Sequence, residues 1–363
     1  MFNFTVKKEP KIIPLKVKLP FIERLTLVES LGIMLGAGIP ILDAFESIEN
    51  DSDNLKTKGV VRSVRDSIQK GHNLAESFSQ FPNIFDDIFV NTVKAGEESG
   101  GLDKVLKQLS DNMKQEEELK NDIKQAAFYP AIVLGVLFFV MAVLFGFVVP
   151  RVAEIFEKLT IPKPLPTRIL LSTALFVNKY YIFVGIFILI AAIGTIILLS
   201  NKEVRKKLLT ASFHIPVFGS VLRYLDLSRL SSTLSLLLSA GIPIIKAVEA
   251  SSTVVLNKRT KRELEEVTHK LTEGKGLAEG MREFKTFPTL MTRIISTGEK
   301  TGQLDEVLAG VALHYHDKLS REVKTLSTVI EPALIIVIGI IVGSVILAVI
   351  SPIYQLISQI SPG

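Results

Sequence analysis

The stretch GEESGGLDKVL at residues 96–106 recurs as GEKTGQLDEVL at residues 298–308, and each copy runs on into an uncharged apolar stretch that opens on Pro-Ala, at Pro130 and at Pro332. Working outward from that pair, AGIPI at residues 37–41 recurs at 240–244, and LAE at 74–76 recurs at 277–279. The offset is 203 for the two upstream landmarks and 202 for the two downstream ones. One single-residue gap therefore aligns about a hundred residues, which is the signature of an internal duplication. The repeated unit is a polar block followed by a membrane-length apolar run.

Crossing a bilayer takes about 20 apolar residues. Three stretches qualify: residues 129–149, 180–201 and 332–352. The first and third close the two copies of the repeat, and the middle one has no counterpart in it. A second copy inserted in the same orientation needs one return crossing, which the middle span supplies. The expected order is a basic tail at 1–20, a first helical block at 21–128, a first span at 129–149 and an outer loop at 150–179. A second span at 180–201, a second block at 202–331, a third span at 332–352 and a short outer tail at 353–363 follow. Lys120 and Lys124 precede the first span, Lys202, Arg205, Lys206 and Lys207 follow the second, and Lys318, Arg321 and Lys324 precede the third. That bias supports placing the blocks in the cytoplasm; the opposite loop also carries Arg151, Lys158, Lys163, Arg168 and Lys179, and the lack of a visible signal peptide tips the balance.

Inside the blocks apolar residues recur at helical spacing. Ile41, Ala44, Phe45 and Ile48 fit it, as do Leu102, Val105, Leu106 and Leu109 with their copies Leu304, Val307, Leu308 and Val311. Each block reads as an antiparallel bundle of about six helices with short turns, so the fold class is an all-α membrane protein. Gly38 and Gly241 are expected to close helices in the left-handed conformation, with Pro40 and Pro243 in the first turn of the next. In the GE turns, Gly96 and Gly298 are expected to end one helix. Ser99 and Thr301 are then expected to cap the next, with Asp103 and Asp305 near its positive dipole end. The last helix of each block carries no break before Pro130 or Pro332 and should continue into the membrane.

The chain has 363 residues and no cysteine, which excludes disulfide and thiol chemistry, and its formal net charge is +5. No basic stripe with interleaved aromatics marks a nucleic-acid binder. There is no P-loop, no GxSxG elbow and no HExxH pair; His314 and His316 are two apart and point to different helix faces. The spans have no ionisable residue at their centres, unlike transporters and proton relays. No catalytic, cofactor or metal residue is therefore assigned. The repeated acids Glu97 and Glu299 are the strongest candidates for a site. One reading has each accept backbone N–H bonds in a tight turn; the other has each bind a partner or a metal at a bundle end. Gly100 and Gly302 complete the set of structural or partner-contact candidates.

These landmarks resemble the type II secretion system F family, which includes the inner-membrane platform proteins of type IV and competence pili. The residues that carry the resemblance are AGIP in both copies, GxxLAE at 71–76 and 274–279, GExxGxLD at 96–103 and 298–305, the two span-entry prolines, and PLPT at 164–167. The first copy departs in having Phe85-Asp86 where the second has Phe287-Pro288, which leaves the start of that helix open. The resemblance implies a non-enzymatic, multi-pass inner-membrane protein with its bulk in the cytoplasm and no cofactor. Its implied partners are a cytoplasmic hexameric ATPase, pilins or pseudopilins, other inner-membrane assembly proteins, further copies of itself and membrane lipid, but not nucleic acid. A small-solute transporter and a membrane-anchored signalling scaffold are the alternatives from other classes.

Overall fold

The computed structural model describes residues 17–148, 150, 151, 180 and 216–360. The first repeat forms α1 (Phe21–Gly36), α2 (Ile41–Asp51), α3 (Leu55–Gln69), α4 (Leu74–Ser79), α5 (Asp87–Ser99) and α6 (Leu102–Val143). The second forms α7 (Pro216–Ser239), α8 (Ile244–Ser251), α9 (Lys258–Thr272), α10 (Leu277–Arg282), α11 (Thr289–Thr301) and α12 (Leu304–Ile360). Six helices per repeat match the periodicity. No strand occurs among the described residues. The expected middle span and nearly all of the outer loop lie outside them.

The turns repeat as faithfully as the helices. Gly38 (φ 81°) and Gly241 (φ 83°) are left-handed. The N–H of Ile39 reaches Met34 O and that of Ile242 reaches Leu237 O, closing both helices with a Schellman turn. Pro40 and Pro243 then stand at the N-cap of α2 and α8, one position before the first turn. α5 and α11 start at equivalent residues despite the sequence difference there. Asp86 caps α5 with its carboxylate on Phe89 N at 2.9 Å, and Pro288 holds the same place before α11.

The GE turns differ from the expectation in register. The helix runs through Gly96 and Gly298, and the left-handed residue that ends it is Gly100 or Gly302, each at φ 72°. Ser99 and Thr301 do not cap the following helix; their hydroxyls bond back to Gly96 O and Gly298 O. The earlier glycines serve contact instead. A Cβ on Gly96 would sit 3.0 Å from Val105 Cγ2, and one on Gly298 would sit 3.0 Å from Val307 Cβ. Glycine there lets α5 and α11 lie directly on the helices that follow.

The described residues fall into two compact units, one within Met1–Lys120 and Val221–Leu319, the other within Asn121–Ser220 and Ser320–Gly363. The first unit holds both bundles. One core gathers Leu27, Val28, Leu31, Phe45, Val61, Val93 and Leu106 around Phe78, Phe85 and Phe89, whose rings lie 4.3–5.4 Å apart. The other gathers Leu230, Leu234, Leu264, Val267, Ile295, Leu308 and Tyr315, with Met281 and Met291 where the first has Phe78 and Phe89. Each fully buried large side chain contributes roughly 1.5–3 kcal/mol. The bundles share material: Leu236 of α7 and Ala240 just after it belong to the first core, and Ile88 of α5 packs on the second.

In the second unit α6 and α12 lie side by side. Asp122 accepts the Ser320 hydroxyl and pairs with Lys324 Nζ at 3.5 Å. Tyr129 OH donates to Glu331 Oε1 at 3.5 Å. Residues 122 and 324, like 129 and 331, are equivalent in the duplication, so the helices run parallel with equivalent residues abreast. Both are long and apolar enough to cross a membrane, with mean hydropathy of 2.4 and 2.3 in their most apolar windows. Side chains such as Phe138, Phe139 and Ile335 are exposed, as a lipid-facing surface requires. Pro130 and Pro332 stand inside the helices, and neither helix is interrupted there.

Candidate functional site

α4 and α10 are single short helices whose first turns leave N–H groups without an intrahelical acceptor. The repeated acids meet that need. Glu97, in the last turn of α5, accepts Leu74 N on Oε1 at 2.6 Å and Ala75 N on Oε2 at 2.9 Å. Glu299 does the same for Leu277 N and for Ala278 N, the latter at 3.1 Å. The carboxylate thus straddles the first two amides of the LAE helix, with its negative charge at the positive end of that helix. The LAE and GE motifs, 20-odd positions apart, are two halves of one contact.

The two copies differ at one neighbour. Asn73 caps α4 and accepts Glu76 N at 2.7 Å. Its counterpart is Gly276, which has no side chain to offer, and a Cβ there would come within 3.1 Å of both Glu299 oxygens. Gly96, Gly100 and Asp103 surround Glu97 in the chain, and Gly298, Gly302 and Asp305 surround Glu299. Asp103 and Asp305 lie in the first turns of α6 and α12. Gly38, Pro40, Gly241 and Pro243 belong to the separate α1–α2 and α7–α8 turns. Pro130 and Pro332 lie in the other unit. The structure therefore assembles two carboxylate-centred contacts, not one site from all fourteen residues. Among the described residues no group of three or more His, Asp or Glu side chains is placed to hold a metal ion.

A second acid joins helices in the same way. Asp226 on α7 is 3% exposed and accepts Leu256 N at 2.7 Å and Asn257 N at 3.0 Å, just before α9. Burial pushes its carboxyl above the usual range, against the pull of those two amides and of Arg229. Glu23, at the equivalent place on α1, accepts the Thr57 hydroxyl at 2.9 Å. The repeated acid at positions 23 and 226 is a sequence signal that points to this contact, and periodicity alone passes over it.

Where the repeats meet, Gln108 of α6 lies against α7. Its Nε2 donates to Ser235 Oγ at 3.0 Å, and its Oε1 accepts from Ser239 Oγ. Beside this contact a cleft of about 470 Å³ opens between the bundles, with Arg24, Asp86, Glu116, Arg229 and His316 among polar residues over Phe89 and Met113. His316 Nε2 stands 3.9 Å from Glu118. The cleft is lined by charges of both signs together with apolar side chains.

This duplicated arrangement agrees with known proteins. The family described as type II secretion system (T2SS), protein F matches twice, over residues 27–150 and 230–352. The chain belongs to that family. The type IV pilus assembly protein PilC of Pseudomonas aeruginosa is 30% identical over 329 residues, 90% of this chain and 87% of that protein. The PilC of Thermus thermophilus is 30% identical over 377 residues, 99% of this chain and 91% of that one. The type II secretion system protein F of Aeromonas hydrophila is 29% identical over 338 residues, covering 92% and 86%. Both family matches begin within the first helix of a repeat and end beyond its span-entry proline, so the family unit is the block plus its apolar run.

Proposed function

We propose that this protein is a non-enzymatic platform in the inner membrane of a type IV pilus or type II secretion machine. It couples a cytoplasmic hexameric ATPase to the extraction of pilins or pseudopilins from the bilayer. In this reading residues 21–128 and 202–331 are cytoplasmic and three spans, 129–149, 180–201 and 332–352, hold them to the membrane. The observation that carries the reading is the continuity of α6 and α12. Each is an unbroken helix that begins in a buried core, at Leu106 or Leu308, and extends into a membrane-length apolar window. Each bundle is thus joined to its apolar window by continuous helix.

The test is deletion of the chain in its own host, with co-purification of the cognate ATPase from detergent-solubilised membranes. The expected result is loss of filaments, pilin retained in the inner membrane, and ATPase recovered with the tagged chain. Normal filaments after deletion would overturn the proposal, as would ATP hydrolysis by the purified chain alone.

A further inference from the structure

The two bundles contact each other through unlike faces. The first repeat presents Ile88 of α5 and Gln108 of α6. The second presents Ser235, Leu236 and Ser239 of α7 and Ala240 just after it. An isologous contact would use the same residues reciprocally. This one does not. The α1 counterparts of Leu236, Ser239 and Ala240 are Ile33, Gly36 and Ala37, and all three are exposed, Ile33 at 65% against 4% for Leu236. The counterparts of Ile88 and Gln108 are Leu290 and Gly310. Leu290 is 49% exposed, Gly310 is exposed, and Leu313 one turn on is 50% exposed.

The contact is therefore head to tail, with one head and one tail left over. The spare head is on the first repeat and the spare tail on the second. The large apolar side chains exposed among the described residues of this unit are Ile22, Ile33, Ile39, Leu55, Leu290 and Leu313. Half of them fall on these two faces. A heterologous contact generates rings or filaments when it is repeated, and the intramolecular copy shows what covers each face.

We propose that a second copy of this chain docks there, the α1 face of Ile33, Gly36 and Ala37 of one protomer against the α11–α12 face of Leu290, Gly310 and Leu313 of the next. The contact continues the pattern by which α7 docks on α5 and α6 within one chain. The residues at its centre change in a consistent way. Ser239 bonded to Gln108 becomes Gly36 opposite Gly310, so a hydrogen-bonded pair is replaced by two glycines that permit close apolar packing. Neither glycine has any atom within 4 Å of the place a Cβ would take, so the space before each is open.

The lack of cysteine allows a direct test in the full chain, in membranes of a host without other pilus or secretion proteins. Two differently tagged variants, Gly36→Cys and Gly310→Cys, are co-expressed and treated with a short bismaleimide. A chain carrying both Gln108→Cys and Ser239→Cys is the control for the intramolecular contact. The expected result is a dimer-sized product bearing both tags, at least tenfold more abundant than the dimer from either variant alone. Ile33→Glu and Leu313→Glu should each reduce that product about tenfold while the thermal melting of the chain stays unchanged. No product with both tags while the control crosslinks within the chain overturns the proposal. So does Gly36→Cys crosslinking to itself as efficiently as to Gly310→Cys, which would make the interface isologous. The readout is association alone, so it stands apart from whether an ATPase or pilin is bound.

Discussion

Replacing Glu97 or Glu299 by alanine separates a structural carboxylate from a partner-binding one. Each acid accepts two amides, and the residues bearing those amides, Leu74, Ala75, Leu277 and Ala278, are no more than 2% exposed. Water does not readily replace the lost acceptor. A buried donor left unpaired costs about 1–3 kcal/mol, so two give an upper range of about 2–6 kcal/mol, and about 2–4 kcal/mol once the short helix relaxes. For a unit of this size each kcal/mol moves the midpoint by about 2–4 °C. Glu97→Ala should then lower the melting temperature of the detergent-solubilised chain, followed by far-UV circular dichroism, by about 5–15 °C. Glu→Gln keeps one acceptor oxygen and should lose about half as much. Glu299→Ala should cost more than Glu97→Ala, because α4 retains the Asn73 cap while α10 has only Gly276 before it. An Ncap side chain is worth about 0.5–2 kcal/mol. Alanine variants that melt within about a degree of wild type, yet no longer bind the cognate ATPase, would refute the structural assignment.

The close approach at Gly96 and Gly298 gives a second expectation. Alanine there puts a methyl 3.0 Å from Val105 or Val307, an overpacking that costs about 1–3 kcal/mol; Val105→Ala in the same chain should restore part of the loss from Gly96→Ala, and no restoration would show that the glycine serves another purpose. Asp226 gives a third. Its folded pKa is raised by burial, so its contribution to stability is fully present below the unfolded carboxylate pKa and is lost as pH rises through the folded value. Wild type should therefore gain on Asp226→Asn as pH falls from neutral toward the ordinary carboxylate range, read as the difference in melting temperature at each pH, and a difference that moves the other way would contradict the assignment.

Much of this fold is legible because its rules are local. The AGIP turns need a left-handed glycine and a proline at fixed offsets, and the helices between them carry apolar residues at 3.6-residue spacing. The GE turns are less legible, because two glycines lie four apart in each. Either can end a helix; the left-handed φ falls at Gly100, while Gly96 packs against Val105. The pairing of GE with LAE joins residues 22 and 23 positions apart, and no local pattern encodes which amides a carboxylate will reach. The unlike docking of the repeats is hidden for a similar reason. Ile33 and Leu236 are both apolar residues at equivalent helix positions, and nothing in either residue says which of them finds a neighbour.

The sharing of Leu236 and Ala240 with the first core has a consequence for biogenesis. A nascent chain emerges at about 5–20 residues per second, so roughly ten seconds separate the last helix of the first bundle from the residues that complete its core. During that interval the ribosome delivers residues 129–201, which the sequence reading assigns to two membrane spans and the loop between them. The first bundle must wait, incompletely covered at the face that α7 will occupy, while those residues are made and, in the proposed topology, pass into the bilayer and back. In the proposed topology, membrane insertion is thus a step in the folding of the bundles. A chain stopped before residue 240 would leave that apolar face uncovered.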